Sequence, residues 1–246
     1  MNNFYKNIYP IMNLYRKMST KSEIVTQMLY GDNFSILKKN SKWLKIKIRE
    51  DNYKGFIRNK NFKPPVKSTH KIHNLKANIY KFSNNSKKID ELPFGSRIKI
   101  TEKKYQFFKF DKGWVHQKDV RPVNYKEKNI FKNIKMFKNI KYKWGGKTFK
   151  GIDCSALIQV FINFNNKPCP RDAKDQAKYF KKNINLKNIK RNDIIYWKGH
   201  VAVALSKKKL IHAYGPMKRT VVTDIYKATQ RIEKTANLKI IGIKRI

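Results

Sequence analysis

From about Ser22 the chain alternates apolar and polar residues. Ile24, Phe34, Ile36, Leu44, Ile46 and Ile48 stand at strand spacing, and Gly31-Asp32 and Asp51-Asn52 mark turns between them. After Val123 the period lengthens. Ile130, Ile134 and Phe137 lie at i, i+4 and i+7, which predicts a helix from about Lys126 to Asn139, closed by Gly145-Gly146. A second helical stripe, Leu157, Ile158, Phe161 and Phe164, begins at Cys154. From Asp193 the pattern returns to strands: Ile194–Trp197, His200–Leu205, Leu210–Ala213, Thr220–Thr223 and Lys239–Ile243. Helices followed by short antiparallel strands predict an α+β fold for this last part.

The first half repeats itself. Tyr30-Gly31 with Phe34-Ser35-Ile36 corresponds to Phe94-Gly95 with Arg97-Ile98-Lys99-Ile100. Trp43-Leu44-Lys45-Ile46 corresponds to Phe107-Phe108-Lys109-Phe110, and Tyr53-Lys54-Gly55-Phe56-Ile57 to Asp111-Lys112-Gly113-Trp114-Val115. Pro64-Pro65 cannot continue a ladder, so a linker falls between the copies. The two units resemble bacterial SH3 domains. The expected division is an N-terminal extension over 1–20, SH3-like units over 21–66 and 67–123, and a third domain over 124–246.

Charge changes the picture less than its size suggests. Lys and Arg number 58 against 16 Asp and Glu, a formal +42. The cations are spread through every segment with abundant Asn and Ile, and no nucleic-acid recognition motif accompanies them. The expectation is a solvated basic surface with at most weak association with a polyanion. The apolar run Ile8, Ile11, Met12 and Leu14 is broken by Pro10 and Asn13 and lacks a small-residue cleavage site, and no stretch is long enough to span a bilayer. A monomeric cytoplasmic protein without membrane association is expected.

Two cysteines, Cys154 and Cys169, exclude a disulfide framework and paired Cys-x-x-Cys zinc spacings. No cofactor is expected. Cys154 opens a helix, where unpaired N–H groups and the positive dipole end favour a thiolate. A free thiol pKa of ~8.5 falls to roughly 3.5–7.5 at such positions. Of five histidines, His200 and His212 share this domain with Cys154, on consecutive strands that a hairpin can bring together, supplying a base and a group to orient it. The alternatives are a packed thiol with two structural histidines, or a zinc site from Cys154, Cys169, His200 and His212, whose spacing is unlike structural zinc sites. Cys169, between two prolines, reads as a packed small residue.

Five blocks then carry a resemblance over most of 124–246. They are Tyr142-Lys143-Trp144-Gly145-Gly146, Gly151-Ile152-Asp153-Cys154-Ser155, Pro170-Arg171-Asp172 with Gln176, Asp193-Ile194-Ile195-Tyr196-Trp197 with Gly199-His200-Val201, and Ile211-His212-Ala213. Together they resemble the NlpC family of papain-like cell-wall cysteine peptidases. Ala156, and Arg191-Asn192 before Asp193, depart from the pattern at positions where glycine is common. The resemblance implies Cys154 as nucleophile, His200 as general base, His212 as the orienting residue, Tyr142 beside the oxyanion and Trp144 at the substrate.

With two SH3-like units in front, the chain is similar to those members that cleave between γ-D-glutamate and a diamino acid in murein peptides with a free N-terminal L-alanine. That similarity implies Glu23, Tyr53, Asp153 and Ser155 as contacts of the terminal ammonium, which on losing water needs charged or hydroxyl acceptors. The alternatives are a secreted hydrolase of intact cross-linked murein and a non-catalytic basic module that binds an anionic polymer.

Overall fold

The structure is a computed structural model and describes residues 4–246. The chain divides into two compact units between Tyr125 and Lys126. Both are rich in sheet, and among the described residues the three α-helices all lie in the second.

In the first unit, β1 (Phe4–Lys6), β2 (Ile11–Tyr15), β3 (Ile24–Leu29), β4 (Asn33–Lys39), β5 (Trp43–Ile48) and β6 (Lys54–Arg58) form one six-stranded sheet in the order β1-β4-β5-β6-β2-β3. The expected N-terminal extension is therefore part of a sheet: Phe4–Lys6 pair with Asn33–Ser35, and Ile11–Tyr15 pair with β3. Pro10 does not end the structure, because it falls between two strands rather than inside one. Met12, Leu14, Phe34, Leu44, Ile46, Ile48 and Ile57 make the core, the inward half of each alternating run.

The repeat continues as β7 (His70–Ile72), β8 (Lys76–Tyr80), β9 (Lys88–Pro93), β10 (Arg97–Ile98), β11 (Glu102–Lys104), β12 (Phe107–Phe110), β13 (Gly113–His116) and β14 (Val120–Pro122), in a three-stranded and a five-stranded sheet. Tyr30, from the end of β3, is buried in this second core, and its hydroxyl donates to Asp111. Arg97 N–H donates to the Tyr30 carbonyl at 2.8 Å. Gly31 has no room for a side chain, since a Cβ there would stand 2.1 Å from the Arg97 carbonyl oxygen.

The second unit opens differently from the expectation. Lys126–Asn139 is not a helix but a series of turns with one 3-10 turn at Ile134–Phe137. Three asparagines explain the difference: Asn129 turns its side chain onto the N–H of Phe131 at 3.2 Å, Asn133 precedes the 3-10 turn, and Asn139 takes φ +67°. The apolar stripe still does its packing, with Phe131 and Phe137 against Phe161.

A short hairpin, β15 (Lys147–Thr148) and β16 (Gly151–Ile152), leads into α1 (Cys154–Phe164), which is followed by α2 (Ala173–Tyr179). Strands β17 (Ile194–Trp197), β18 (His200–Ala204), β19 (Lys209–Tyr214), β20 (Arg219–Asp224) and β21 (Ile240–Lys244) form an antiparallel sheet in the order β20-β19-β18-β17-β21. Between β20 and β21 lies α3 (Ile225–Ala236), a helix the periodicity reading did not identify. Ala202, Ala204, Leu210 and Val221 pack on one face with Ile225, Ala228 and Ile232 of α3. The alternate residues Val201, Val203, Ile211 and Ala213, also buried, face the side on which α1 lies against β18 and β19. Where the family pattern has glycine, Asn192 supplies a left-handed residue at φ +76°, a conformation asparagine tolerates.

Candidate active site

Asp153 is the N-cap of α1. Its Oδ1 accepts the N–H of Ala156 at 2.9 Å, and its Oδ2 accepts the N–H of Gly145 at 2.9 Å. One carboxylate thus starts the helix and anchors the glycine loop in front of it. Arg171 completes the arrangement: Nη1 donates to Asp153 Oδ1 at 3.0 Å and to Ser155 Oγ at 2.9 Å, and Nη2 donates to Asp153 Oδ2 at 2.5 Å. All three residues are buried. Asp153 and Ser155, which the resemblance implied as acceptors for an ammonium, are occupied by a guanidinium from the same unit. Reading the sequence motif by motif missed this role of Arg171. The available signal was a basic residue inside the Pro170-Arg171-Asp172 block, which must find a carboxylate if it is buried.

Cys154 follows the cap and is 5% exposed. Its pKa is pushed up to about 12, first by burial and then by the charge of Asp153; the N–H of Val201, the Arg171 charge and the N–H of Ser155 oppose the rise. The expectation of a lowered thiol pKa is therefore overturned for the resting protein. Loss of water outweighs the helix start, and the cap beside the sulfur is itself an anion. Val201 N–H at the sulfur also places the thiol at the beginning of β18, next to His200.

His200 and His212 share a hydrogen bond, Nε2 to Nδ1 at 2.8 Å. His212 stacks on Tyr214, ring centroids 4.7 Å apart and 6° from parallel, and His200 lies against Trp197 and Tyr214 at 5.6 and 5.5 Å. Burial lowers the His200 pKa to about 4. Burial, then the charges of His200 and Arg231, lower that of His212 to about 2. Both imidazoles are therefore neutral at neutral pH, so one ring nitrogen of each carries a proton and the other accepts.

Tyr142 is held from two sides. Its N–H donates to the Lys218 carbonyl at 2.8 Å, and it bridges to Ile152 of β16. Burial and the nearby Cys154 and Asp153 raise its pKa. Trp144, two residues on, is 58% exposed. Glu23 and Tyr53 lie in the first unit. Glu23 pairs with Arg16 across Nε–Oε2 at 2.5 Å, and Tyr53 packs at the edge of the first core. Cys169 is buried, its Sγ 3.5 Å from the Pro170 carbonyl. Among the described residues no three His, Cys, Asp or Glu side chains are grouped to hold a metal ion.

A helix-borne thiol beside a hydrogen-bonded pair of strand-borne imidazoles is the equipment of a cysteine hydrolase. Comparison with known proteins gives the particular kind. Residues 139–235 match the NlpC/P60 family, and residues 14–62 match the bacterial dipeptidyl-peptidase Sh3 domain. The chain carries an NlpC/P60 domain together with a bacterial SH3 domain, and it is a cysteine peptidase of the NlpC type.

It is 26% identical over 80% of its length to the gamma-D-glutamyl-L-lysine dipeptidyl-peptidase of Bacillus subtilis, spanning 74% of that protein. It is 29% identical over 41% of its length to dipeptidyl-peptidase 6 of Lysinibacillus sphaericus, spanning 38% of that protein. An NlpC/P60 family protein from Bacillus cereus superposes with a TM-score of 0.83 over 99% of both chains at 15% identity, a likeness of fold. No described helix is long and apolar enough to cross a membrane.

Proposed function

We propose that the protein is a cysteine endopeptidase that cleaves the bond between γ-D-glutamate and the diamino acid in murein peptides with a free N-terminal L-alanine. We place it in the cytoplasm, acting on fragments released during wall turnover. The observation that carries the chemistry is the 2.8 Å hydrogen bond between His200 and His212 beside the start of α1. With the His200 proton on Nε2, donated to His212 Nδ1, His200 Nδ1 is free to accept the thiol proton, and His212 fixes that tautomer and ring orientation.

Cys154 Sγ attacks the amide carbon as its proton passes to His200. N–H groups at the head of α1 stabilise the oxyanion with Tyr142, and His200 returns the proton to the leaving amine. Water then hydrolyses the thioester and releases the dipeptide. Because the resting pair is neutral, proton transfer accompanies attack rather than preceding it.

The bond specificity is supported by the Bacillus subtilis and Lysinibacillus relatives, whose names state dipeptidyl-peptidase activity. The domain reading adds a papain-like arrangement of the peptidase domain and a second SH3-like unit built on the 67–123 repeat. Glu23 and Tyr53 are assigned to the substrate's ammonium on sequence grounds, and Trp144 to the substrate on its exposure beside the Gly145-Gly146 loop.

The test is hydrolysis of L-Ala-γ-D-Glu-diaminopimelate and its N-acetylated form, with Cys154→Ser as control. Cleavage of the free-amine peptide alone is expected. Equal cleavage of both sinks the amine requirement, and a folded wild-type protein that cleaves neither sinks the substrate assignment.

A further inference from the structure

Two glutamines are fully buried behind the nucleophile, Gln159 in α1 and Gln176 in α2, each with 0% exposure. Gln159 is the one polar residue in the otherwise apolar run 156–162. A side-chain amide taken out of water must find partners, and it then fixes whatever it meets.

Both amides meet the chain just before Arg171. Gln159 Nε2 donates to the Cys169 carbonyl at 3.0 Å. Gln176 Nε2 donates to the Pro170 carbonyl and to the Ser155 carbonyl, each at 2.9 Å. The main-chain N–H of Gln176 closes on the Asp172 carbonyl at 2.9 Å, so α2 starts directly after Arg171 and its first turn folds the glutamine back over it. The segment Pro168-Cys169-Pro170 has no N–H at two of its positions and cannot pair as a strand. It is held by its carbonyls instead, and Arg171 comes next with its guanidinium on Asp153 and Ser155. Ser155 is thus gripped twice, at its carbonyl by Gln176 and at its Oγ by Arg171, and Cys154 lies between it and Asp153.

We propose that Gln159 and Gln176 are positioning residues for the nucleophile: by holding the carbonyls of Cys169 and Pro170 they fix Arg171, and through Arg171 the helix cap that sets the place of Cys154. The inference rests on Cys154 being the nucleophile and is independent of the substrate. A guanidinium fork keeps its bonds only while its main chain stays in place. A shift of Arg171 opens its bonds to Asp153 and leaves that carboxylate with less counter-charge beside the thiol. Displacing a reacting group by about 1 Å costs on the order of 10²-fold in rate.

The experiment is a double-mutant cycle on kcat and KM for L-Ala-γ-D-Glu-diaminopimelate, comparing wild type, Gln176→Met, Arg171→Lys and the double variant. Gln176→Met should lower kcat on the order of 10²-fold with KM within about twofold, and Gln159→Met should lower kcat on the order of tenfold. In the Arg171→Lys background, where the fork is already lost, adding Gln176→Met should cost less than about threefold more. Wild-type kcat in Gln176→Met overturns the proposal. So does an equal fold-loss in both backgrounds, which is what an independent packing defect gives.

Alkylation by iodoacetamide, followed at Cys154 by peptide mapping, reads the same cycle without a substrate. Gln176→Met should move the pH profile of alkylation upward, and the movement should shrink in the Arg171→Lys background. Faster alkylation of Gln176→Met at every pH would show that the thiol has merely been exposed, and overturns the proposal. If the wild type does not cleave the peptide, the substrate reading has failed and alkylation alone decides this one. Near-UV circular dichroism reports folding. Should Gln176→Met not fold, Gln159→Met, which removes one bond rather than two, takes its place in the cycle with the same outcomes.

Discussion

Arg171 holds Asp153 with both prongs of its guanidinium, at 3.0 and 2.5 Å, directly behind the helix start that carries Cys154. The pair is nearly dry, with side-chain exposures of 1% and 7%. It links the Pro170–Arg171 segment to the cap of α1 and, through Gly145, to the loop that precedes it. The position of the thiol therefore depends on a residue seventeen places further along the chain.

Replacing Arg171 with Met leaves Asp153 charged and buried, and stability should fall by about 3–5 kcal/mol in urea unfolding. Arg171→Lys keeps a charge but loses the fork and should fall between the wild type and Met. Adding Asp153→Asn to Arg171→Met should recover part of the loss, because the stranded charge is then gone. A loss under about 1 kcal/mol for Arg171→Met would show that the pair does not hold the helix start.

The thiol should behave as a neutral group at rest. With its pKa pushed up to about 12, alkylation of Cys154 by iodoacetamide should keep accelerating above pH 9, without a plateau near neutrality. A plateau between pH 6 and 8 would reveal a preformed thiolate and contradict the burial argument.

The histidine pair makes the second unit sensitive to acid. Folded, His200 and His212 bind protons more weakly than in the unfolded chain, so below about pH 6.5 the unfolded chain takes up more protons. Their stabilising contribution is complete above that pH and is lost as pH falls through about 4 for His200 and further for His212. Urea unfolding at pH 4.5 should give a stability about 5 kcal/mol below that at pH 7, and a His212→Phe variant should lose about half as much over the same interval. Identical pH dependence in both proteins would mean that other groups dominate.

His212→Asn and His212→Phe separate orientation from bulk. Asn can accept from His200 Nε2 as His212 Nδ1 does, whereas Phe fills the space beside Tyr214 and accepts nothing. The expected order of kcat/KM is wild type, then Asn, then Phe, with Phe down on the order of 10²–10⁴-fold, the usual effect of impairing a general base. Equal activity of Asn and Phe would remove the orienting role.

Gly146→Ala tests the loop. A Cβ at Gly146 would stand 2.5 Å from the Gly151 carbonyl oxygen, so the two strands of the loop must part. The Gly146 carbonyl accepts the N–H of Asp153, and displacing it should disturb the cap and cut kcat/KM at least tenfold, while circular dichroism stays near that of the wild type.

The strands β17–β21 and the helix α1 were legible because their apolar residues recur at the period of the element, and period is a local property. Cys154, His200 and His212 stood out as candidates for a similar reason: few residue types do nucleophilic and general-base work, and only two histidines share the cysteine's domain. Where local signals competed, the reading failed. Lys126–Asn139 has helical spacing, but Asn129 turns its side chain onto the main chain and Asn139 takes a left-handed conformation. Helix α3 carries Ile225, Ala228 and Ile232 behind an Asp224 cap, a signal visible in the sequence but obscured by the strands on either side.

The sequence by itself therefore determined which residues can do chemistry and the order of the elements that carry them, since residue type and period are written along the chain. Only the tertiary structure decided their state. Arg171 takes up Asp153 and Ser155, and burial holds Cys154 as a thiol and both imidazoles neutral. Hydration, charge neighbours and hydrogen-bond partners are set by residues far apart in sequence, and no local pattern encodes them.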